Sequence, residues 1–145
     1  MITQKQENIA KRVIDCAYEV HSALGPGLLE GAYQTCLLYE LKNNDIFAES
    51  EKLLPIIYKG LHIDYGYRID VLVERNQLIV ENKAVKELND IHIAQLLSYM
   101  RLSGVSLGFL FNFNVRHFKD GIRRVVLNAP YVRISADLNT YHGNI

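Results

Sequence analysis

The stretch "YRIDVLVERNQLIVENKAV", residues 67–85, decides the fold. Two runs rich in Val, Ile and Leu lie on either side of Arg75-Asn76, which predicts two β-strands joined by a turn. If this turn is the centre of an antiparallel hairpin, opposing residues have numbers that add up to 151. That register places Asp70 directly opposite Glu81.

The same register gives the hairpin one charged face and one apolar face, because successive side chains of a strand point to opposite faces. The charged face carries Arg68, Asp70, Leu72, Ile79, Glu81 and Lys83, with Arg68 opposite Lys83. The other face carries Ile69, Val71, Val73, Leu78 and Val80. We expect this second face to lie in the core, since a slip by one residue would bury the charges.

The charged face has two interpretations that the sequence leaves open. Two opposed carboxylates repel each other and weaken a hairpin unless something cationic lies between them. Lys83 can reach Asp70 diagonally and Arg68 can reach Glu81, which predicts a ladder of salt bridges. A bound divalent cation is the alternative, because Mg²⁺ prefers carboxylate oxygens and keeps several of its waters.

The rest of the chain predicts an α/β protein with a mixed sheet between helices. Apolar spacing and helix-ending residues predict helices over residues 4–23, 28–43 and 91–103. Extended segments are predicted at 53–58, 61–65, 67–73, 77–83, 105–113 and 122–127. No repeat or long linker divides the 145 residues, so we expect a single domain over residues 1–145.

Composition bounds the partners and the location. Sixteen basic and sixteen acidic residues give a formal net charge of zero, so contact with nucleic acid should use a local patch or a small footprint. Cys16 and Cys36 lack the spacing of a zinc site and are typical of free thiols in a reducing compartment. With neither a signal-peptide core nor a membrane-length apolar run, we expect a cytoplasmic protein that makes no membrane contact.

Several motifs resemble one known family in the same order along the chain. "GLLEGAY", residues 27–33, is similar to the G-x-x-E-x-x-Y signature of the GxxExxY protein family. "VHSALGP", "YRIDVLVE", "LIVENKAV" and "AQLLSYMRLSG" resemble further parts of that family. The family is grouped with the PD-(D/E)xK nuclease-like superfamily. The resemblance therefore implies a restriction-endonuclease-like core and a nuclease that uses Mg²⁺ or Mn²⁺.

The resemblance also implies roles for individual residues. Asp70, Glu81 and Lys83 match the superfamily's acidic residue and E-x-K, and Gln95 matches the polar residue on the following helix. Metal ligands would be Glu30, Asp70, Glu81 and the carbonyl oxygen of Asn82. Candidate substrate-binding residues are Arg68, Tyr33, Tyr99 and His21. Asn82 departs from the family pattern, which usually has an apolar residue there, and it falls on the apolar face of the hairpin, where it needs a hydrogen bond.

Two function classes remain open from the sequence. The first is a Mg²⁺-dependent nuclease, acting on DNA in the first place, with a homodimer fitting the small size. The second is a non-catalytic nucleic-acid-binding or assembly module on the same fold. Its working surface would be the densest basic cluster in the chain, formed by Arg116, His117, Lys119, Arg123 and Arg124.

Overall fold

The computed structural model describes residues 1–128 in full, together with the backbone of two further strands. The described residues form three α-helices, α1 (Gln4–Leu24), α2 (Glu30–Asn43) and α3 (Asp90–Ser103), and a short 3-10 helix at Phe118–Gly121. The strands are β1 (Ala48–Leu53), β2 (Ile56–Tyr58), β3 (Leu61–Ile63), β4 (Arg68–Val73), β5 (Leu78–Lys83), β6 (Leu107–Asn112), β7 (Ile122–Asn128), β8 (Tyr131–Ser135) and β9 (Thr140–Asn144). In this part of the chain no helix is both long enough and apolar enough to cross a lipid bilayer.

The main sheet is mixed, which confirms the predicted α/β architecture. Its strand order is β1-β4-β5-β6-β7-β8-β9, and β2 pairs only with β3 in a separate hairpin. β5 and β6 are parallel, whereas the other neighbours in the sheet are antiparallel. A parallel pair needs a crossover connection, and α3 provides it. The carboxyl ends of β5 and β6 therefore meet at one edge of the sheet.

The helix ends follow from local capping chemistry. Thr3 and Gln6 form a capping box at the start of α1, and Asn89 accepts the backbone N–H groups of Ile91 and His92 at the start of α3. Gly104 ends α3 in the left-handed region at φ 73°, which glycine adopts without strain. The predicted helix boundaries are accordingly confirmed to within about two residues at each end.

The first strand of the sheet lies earlier than predicted. The sequence placed a strand at residues 53–58, whereas β1 is Ala48–Leu53, and of the predicted segment Leu53 lies in β1 and Ile56–Tyr58 forms β2. β1 has the sequence AESEKL, is largely exposed and lies at an edge of the sheet. A strand of this kind has no apolar alternation, so its hydrophobic pattern cannot reveal it.

The register of the β4–β5 hairpin is confirmed, with Val71 opposite Val80 and Leu72 opposite Ile79. Four of the five residues predicted for the core face lie together in one core, but Ile69 does not, and Leu72 and Ile79 of the charged face are buried as well, because helices cover both faces of the sheet. One core, on the side of α1 and α2, contains Val71, Val73, Leu78, Val80, Phe109 and Phe111. The other, on the side of α3, contains Ile69, Leu72, Ile79, Leu96, Met100 and Leu110. The charged residues of the hairpin thus lie at the end of a strand that is buried on both faces.

A close approach of the backbone at Gly121 supports the end of β6. A Cβ atom built at this position would lie 2.0 Å from the carbonyl oxygen of Asn112. Asn112 pairs with Lys83 in the parallel ladder, and its side chain exchanges two hydrogen bonds with the backbone of Val85. Any side chain at Gly121 must therefore displace the backbone that supports the carboxyl end of β5.

We expect Gly121→Ala to lower the free energy of unfolding by at least about 2 kcal/mol, because the clash is with backbone that cannot rotate away. Gly31→Ala is the matched control, since its Cβ would meet nothing within 4 Å and alanine favours the helix in which Gly31 lies. Urea unfolding followed by circular dichroism measures both variants. Equal midpoints for the two would contradict the proposed close contact.

Candidate active site

Two carboxylates replace main-chain pairing where β4 and β5 separate. The antiparallel ladder ends at Val71 and Val80. Beyond it, the backbone N–H of Asp70 donates to Oε2 of Glu81 at 2.8 Å, and the backbone N–H of Asn82 donates to Oδ2 of Asp70 at 2.9 Å. Each amide that would lose a ladder partner therefore bonds to a carboxylate, which satisfies the backbone and fixes both side chains between the strands.

Burial makes the two carboxylates costly to ionise together. Glu81 is only 2% exposed, and burial, followed by the negative charge of Asp70, raises its pKa to about 8. Burial also raises the pKa of Asp70 to about 6, against the lowering effect of the Asn82 hydrogen bond. Glu30 and Glu51 add smaller upward contributions to the pKa of Asp70. The site therefore concentrates negative charge that favours either protons or an external cation.

The salt-bridge interpretation of the charged face is wrong for the part of the chain that the structure describes. Its ion pairs are Lys52 with Glu49 and Arg124 with Glu7. Neither involves Asp70 or Glu81. The charge of Lys83 is close enough to lower the pKa of both carboxyls, but its ammonium makes no ion pair with either.

Lys83 is directed to a polar chain on α3 instead. Its Nζ donates to Oε1 of Gln95 at 3.2 Å, and Nε2 of Gln95 donates to the hydroxyl of Tyr99 at 3.2 Å. Burial and then the charge of Glu81 raise the pKa of the Tyr99 hydroxyl. The structure thus brings Gln95 and Tyr99 of α3 to the strand end that carries Asp70, Glu81 and Lys83.

Two further residues complete the polar network and were missed from the sequence. Gln34 donates to Oε1 of Glu51 at 2.7 Å and to the backbone carbonyl of Asp70 at 3.2 Å, and it accepts a bond from Nδ2 of Asn82. Its spacing of four residues from Glu30 was the available signal, because such residues share one face of a helix. Glu51 has a φ of +51°, a conformation for which its sequence gives no signal.

Asn82 is fully buried on the side of α2, as its position on the apolar face predicted. Its amide nitrogen bonds to Gln34, whereas Oδ1 has no hydrogen-bond partner within the described part of the molecule. The N–H and C=O groups of one strand residue point to the same neighbouring strand. Since the N–H of Asn82 points to Asp70, its carbonyl oxygen also faces the gap that holds the carboxylates.

Comparison with known proteins agrees with this arrangement. A sequence model described as the PD-(D/E)XK nuclease superfamily matches residues 7–125. The chain belongs to the PD-(D/E)XK nuclease superfamily. No curated protein and no solved structure matches it. Superfamily membership suggests nuclease activity, and Asp70 with Glu81-Asn82-Lys83 fits the D and (D/E)XK of the superfamily name. The closer resemblance to the GxxExxY family stays a prediction.

The other residues predicted for this PD-(D/E)XK site fall into two groups. Glu30 and Arg68 are exposed, and each begins an element beside the carboxylates, α2 and β4 respectively. Glu30 and Gln34 also line a cleft of about 300 Å³ with Ser50 and Glu51. These positions leave Glu30 and Arg68 accessible to a ligand in the cleft or at the strand end.

Tyr33 and His21 are buried and form hydrogen bonds with backbone carbonyl groups. Tyr33 is fully buried, stacks on Phe113 with ring centroids 4.7 Å apart, and donates from its hydroxyl to the carbonyl of Gly25 at 2.6 Å. His21 is buried and bonds through Nε2 to the carbonyl of Val115 at 2.6 Å. Both residues hold loops in place, and neither belongs to the polar network of Asp70 and Glu81.

The donor set fits a divalent metal held by few protein ligands. Among the described residues, no three His, Cys, Asp or Glu side chains are grouped so that they could hold a metal ion. Asp70 and Glu81 nevertheless present carboxylate oxygens with no cationic partner there, and the carbonyl of Asn82 faces the same gap. Mg²⁺ characteristically binds through one or two carboxylates and keeps several waters, so this smaller set suits it.

Proposed function

We propose that this chain is a metal-dependent nuclease that hydrolyses phosphodiester bonds in nucleic acid, with DNA as the favoured substrate. One observation carries the proposal: a buried Glu81 and a partly buried Asp70, with pKa values raised by burial and, for Glu81, by the charge of Asp70, lie beside Lys83 with no ion pair to a described residue. Perturbed carboxylates of this kind are characteristic of functional sites. Membership of the PD-(D/E)XK nuclease superfamily supports the same conclusion.

Asp70 and Glu81 would hold Mg²⁺ or Mn²⁺, with the carbonyl of Asn82 as a further ligand and Glu30 as an additional carboxylate at the cleft. A bound metal of this type lowers the pKa of a water and stabilises negative charge on a phosphate. The hydrogen bonds from the backbone of Asp70 and Asn82 fix the carboxylates in advance, so little reorganisation is needed on binding.

Lys83 would orient the attacking water and stabilise negative charge on the phosphate. Gln95 holds the ammonium through its carbonyl oxygen, and Tyr99 in turn accepts a bond from the Gln95 amide. This chain of contacts fixes a flexible side chain at the end of β5. Arg68, exposed two residues before Asp70, would contact a neighbouring phosphate.

The test is Mg²⁺ binding to wild type and to Asp70→Ala, measured by calorimetry and by thermal unfolding. Metal at about 100 times its Kd should stabilise wild type by about 2.7 kcal/mol, because it binds the native state selectively. Asp70→Ala should show neither heat of binding nor a shift in Tm. Asp70→Asn, which keeps the shape of the side chain, controls for loss of folding.

A panel of single-stranded, duplex and branched DNA, and of RNA, completes this test. Metal binding with cleavage that both Asp70 variants lose supports the nuclease. Metal binding without cleavage of any substrate favours the non-catalytic nucleic-acid-binding or assembly module. No metal binding by wild type contradicts the proposed site.

We also propose that the chain acts as one cytoplasmic domain, over residues 1–145, that forms a homodimer. The β2–β3 hairpin supports the dimer, because an isolated two-stranded hairpin is marginally stable and this one exposes Ile57, Tyr58 and Leu61 by about 60% each. A second copy would cover these side chains and place two sites on one substrate. Sedimentation velocity over a range of concentrations tests this, and a monomer throughout would contradict it.

A further inference from the structure

A cleft of about 500 Å³ lies between the end of α1 and the segment that follows β6. His21, Gly25 and Pro26 line one side of it, and Arg116, His117 and Lys119 line the other, with Phe118 among the remaining lining residues. The carboxylates of the nuclease site are not part of its lining. It is therefore a separate feature of the surface.

The cleft is cationic. Arg116, His117 and Lys119 are exposed, and none of the described residues that line the cleft is acidic. Neither Arg116 nor Lys119 forms an ion pair with a described residue. A concave surface that carries charges of one sign concentrates ligands of the opposite sign. The chemistry that fits is a phosphate group, which accepts charge-assisted hydrogen bonds from arginine and lysine.

Buried neighbours fix the segment that carries these cations. The carbonyl of Val115, immediately before Arg116, bonds to the buried ring of His21 at 2.6 Å. Phe118, immediately before Lys119, is 3% exposed and packs edge-on against Tyr18 with ring centroids 5.1 Å apart. The backbone of the segment is thus positioned before a ligand arrives, which lowers the entropy lost on binding.

The structure divides the basic cluster that the sequence singled out. Arg124 forms a paired contact with both oxygens of Glu7, at 2.6 and 3.0 Å, and Arg123 donates to the backbone carbonyls of Asp120 and Ile122. Those two arginines are already bonded within the protein. Of the five basic residues, the three at 116, 117 and 119 line the cleft.

One loop connects the cleft to the nuclease site. The carbonyl of Gly25, a lining residue, accepts the hydroxyl of Tyr33, and the backbone N–H of Gly27 donates to Asn114. Asn114 also donates to the carbonyl of Val85, two residues after Lys83. The cleft and the end of β5 are therefore joined through the segment that leads into α2, at the same edge of the sheet.

From this geometry we propose that the cleft is a second phosphate-binding site, which holds the backbone of the nucleic acid away from the bond that is cleaved. The identity of the ligand rests on the proposed nuclease function. Contacts of this kind fix the position of a strand without reading its sequence. They strengthen binding and have no part in the chemical step.

The experiment compares nucleic-acid binding by Arg116→Ala/Lys119→Ala with that of the parent protein. Both carry Asp70→Asn and Glu81→Gln, which prevent cleavage and remove the repulsion of the carboxylates, and EDTA is present. The probes are fluorescein-labelled single-stranded and duplex DNA of about 20 nucleotides, titrated between about 50 and 200 mM salt. Lys42→Ala/Arg101→Ala removes two exposed cations elsewhere and is the charge-matched control.

Loss of the two cleft cations should weaken binding about tenfold at low salt. It should also reduce the salt dependence, by about 1.8 in the log–log slope for duplex or about 1.4 for single strands. Arg116→Lys/Lys119→Arg should keep the slope of the parent. Undiminished binding by Arg116→Ala/Lys119→Ala, an equal loss in the control, or no binding of either probe by the parent would overturn the proposal.

If the proposed nuclease function is wrong, the same experiments give a different result. In that case wild type cleaves nothing with Mg²⁺, while metal-free binding to the cleft still depends on Arg116 and Lys119. If the nuclease is active, Arg116→Ala/Lys119→Ala should raise KM about tenfold and leave kcat within about twofold. A fall in kcat with unchanged KM would overturn the assignment of the cleft to binding.

Discussion

Lys83→Ala should lower kcat for cleavage by about 10³-fold while wild-type metal affinity is retained. The ammonium of Lys83 bonds to Gln95 and makes no ion pair with either carboxylate, so its removal leaves Asp70 and Glu81 in place. Because Lys83 lowers the pKa of both carboxyls, the variant should need a higher pH to release their protons. Metal affinity is therefore best compared at about pH 9, above both raised pKa values.

Single-turnover cleavage and Mg²⁺ calorimetry on the same samples check this result. Lys86→Ala is the control, since Lys86 is an exposed lysine three residues further along the chain. Gln95→Ala should give a smaller loss of kcat, because it loosens the lysine without removing it. Simultaneous loss of metal binding and cleavage in Lys83→Ala would remove the separate role assigned to Lys83.

Glu81→Gln should make the metal-free protein more stable than wild type above about pH 8. In the folded protein the pKa of Glu81 is raised from 4.5 to about 8, so the native state holds its proton more tightly than the unfolded chain does. Stability from this proton is complete below the unfolded pKa and is lost as the pH rises through the folded pKa. Asp70, raised from 3.8 to about 6, acts in the same direction at lower pH.

Wild type without metal should accordingly lose a few kcal/mol of unfolding free energy between about pH 5 and pH 9. Glu81→Gln should lose much less, and its Tm at about pH 9 should exceed that of wild type by roughly 5 °C or more. Glu87→Gln, at an exposed position between β5 and α3, controls for net charge. Mg²⁺ should restore stability to wild type alone. A wild-type Tm that does not fall over this pH range would contradict the raised pKa values.

The sequence predicted the architecture well where residue chemistry is local. The caps at Asn89 and Gly104 are encoded by the residues themselves. The hairpin register follows from alternating apolar side chains, even though Glu74 and Arg75 adopt positive φ values in its turn. The burial of Leu72 and Ile79 on the charged face could not be predicted, because their coverage by α3 depends on the tertiary crossover.

The residues of the candidate site show the same difference between features encoded locally and features that depend on tertiary packing. Asp70, Glu81 and Lys83 could be placed together from strand alternation, and the family resemblance added Gln95 and Tyr99. Helix spacing could place Gln34 only on the face of Glu30, and nothing placed Glu51, since the meeting of both residues with Asp70 depends on packing between separate elements. The separation of β4 from β5 beyond Val71 was equally hidden, because the pairing rule alone predicts a ladder that continues.

The exchange of hydrogen bonds between carboxylates and backbone has a consequence for the evolution of such chains. Asp70 and Glu81 close the end of a hairpin through acceptor oxygens, so a descendant that lost its enzymatic activity would remain under selection to keep an acceptor side chain at both positions, which Asn and Gln also provide. Lys83 has no comparable structural role, because its ammonium donates to the side chain of Gln95 and does not close the hairpin. Among related sequences, inactive descendants should therefore keep Asp, Asn, Glu or Gln at positions 70 and 81 while position 83 varies freely.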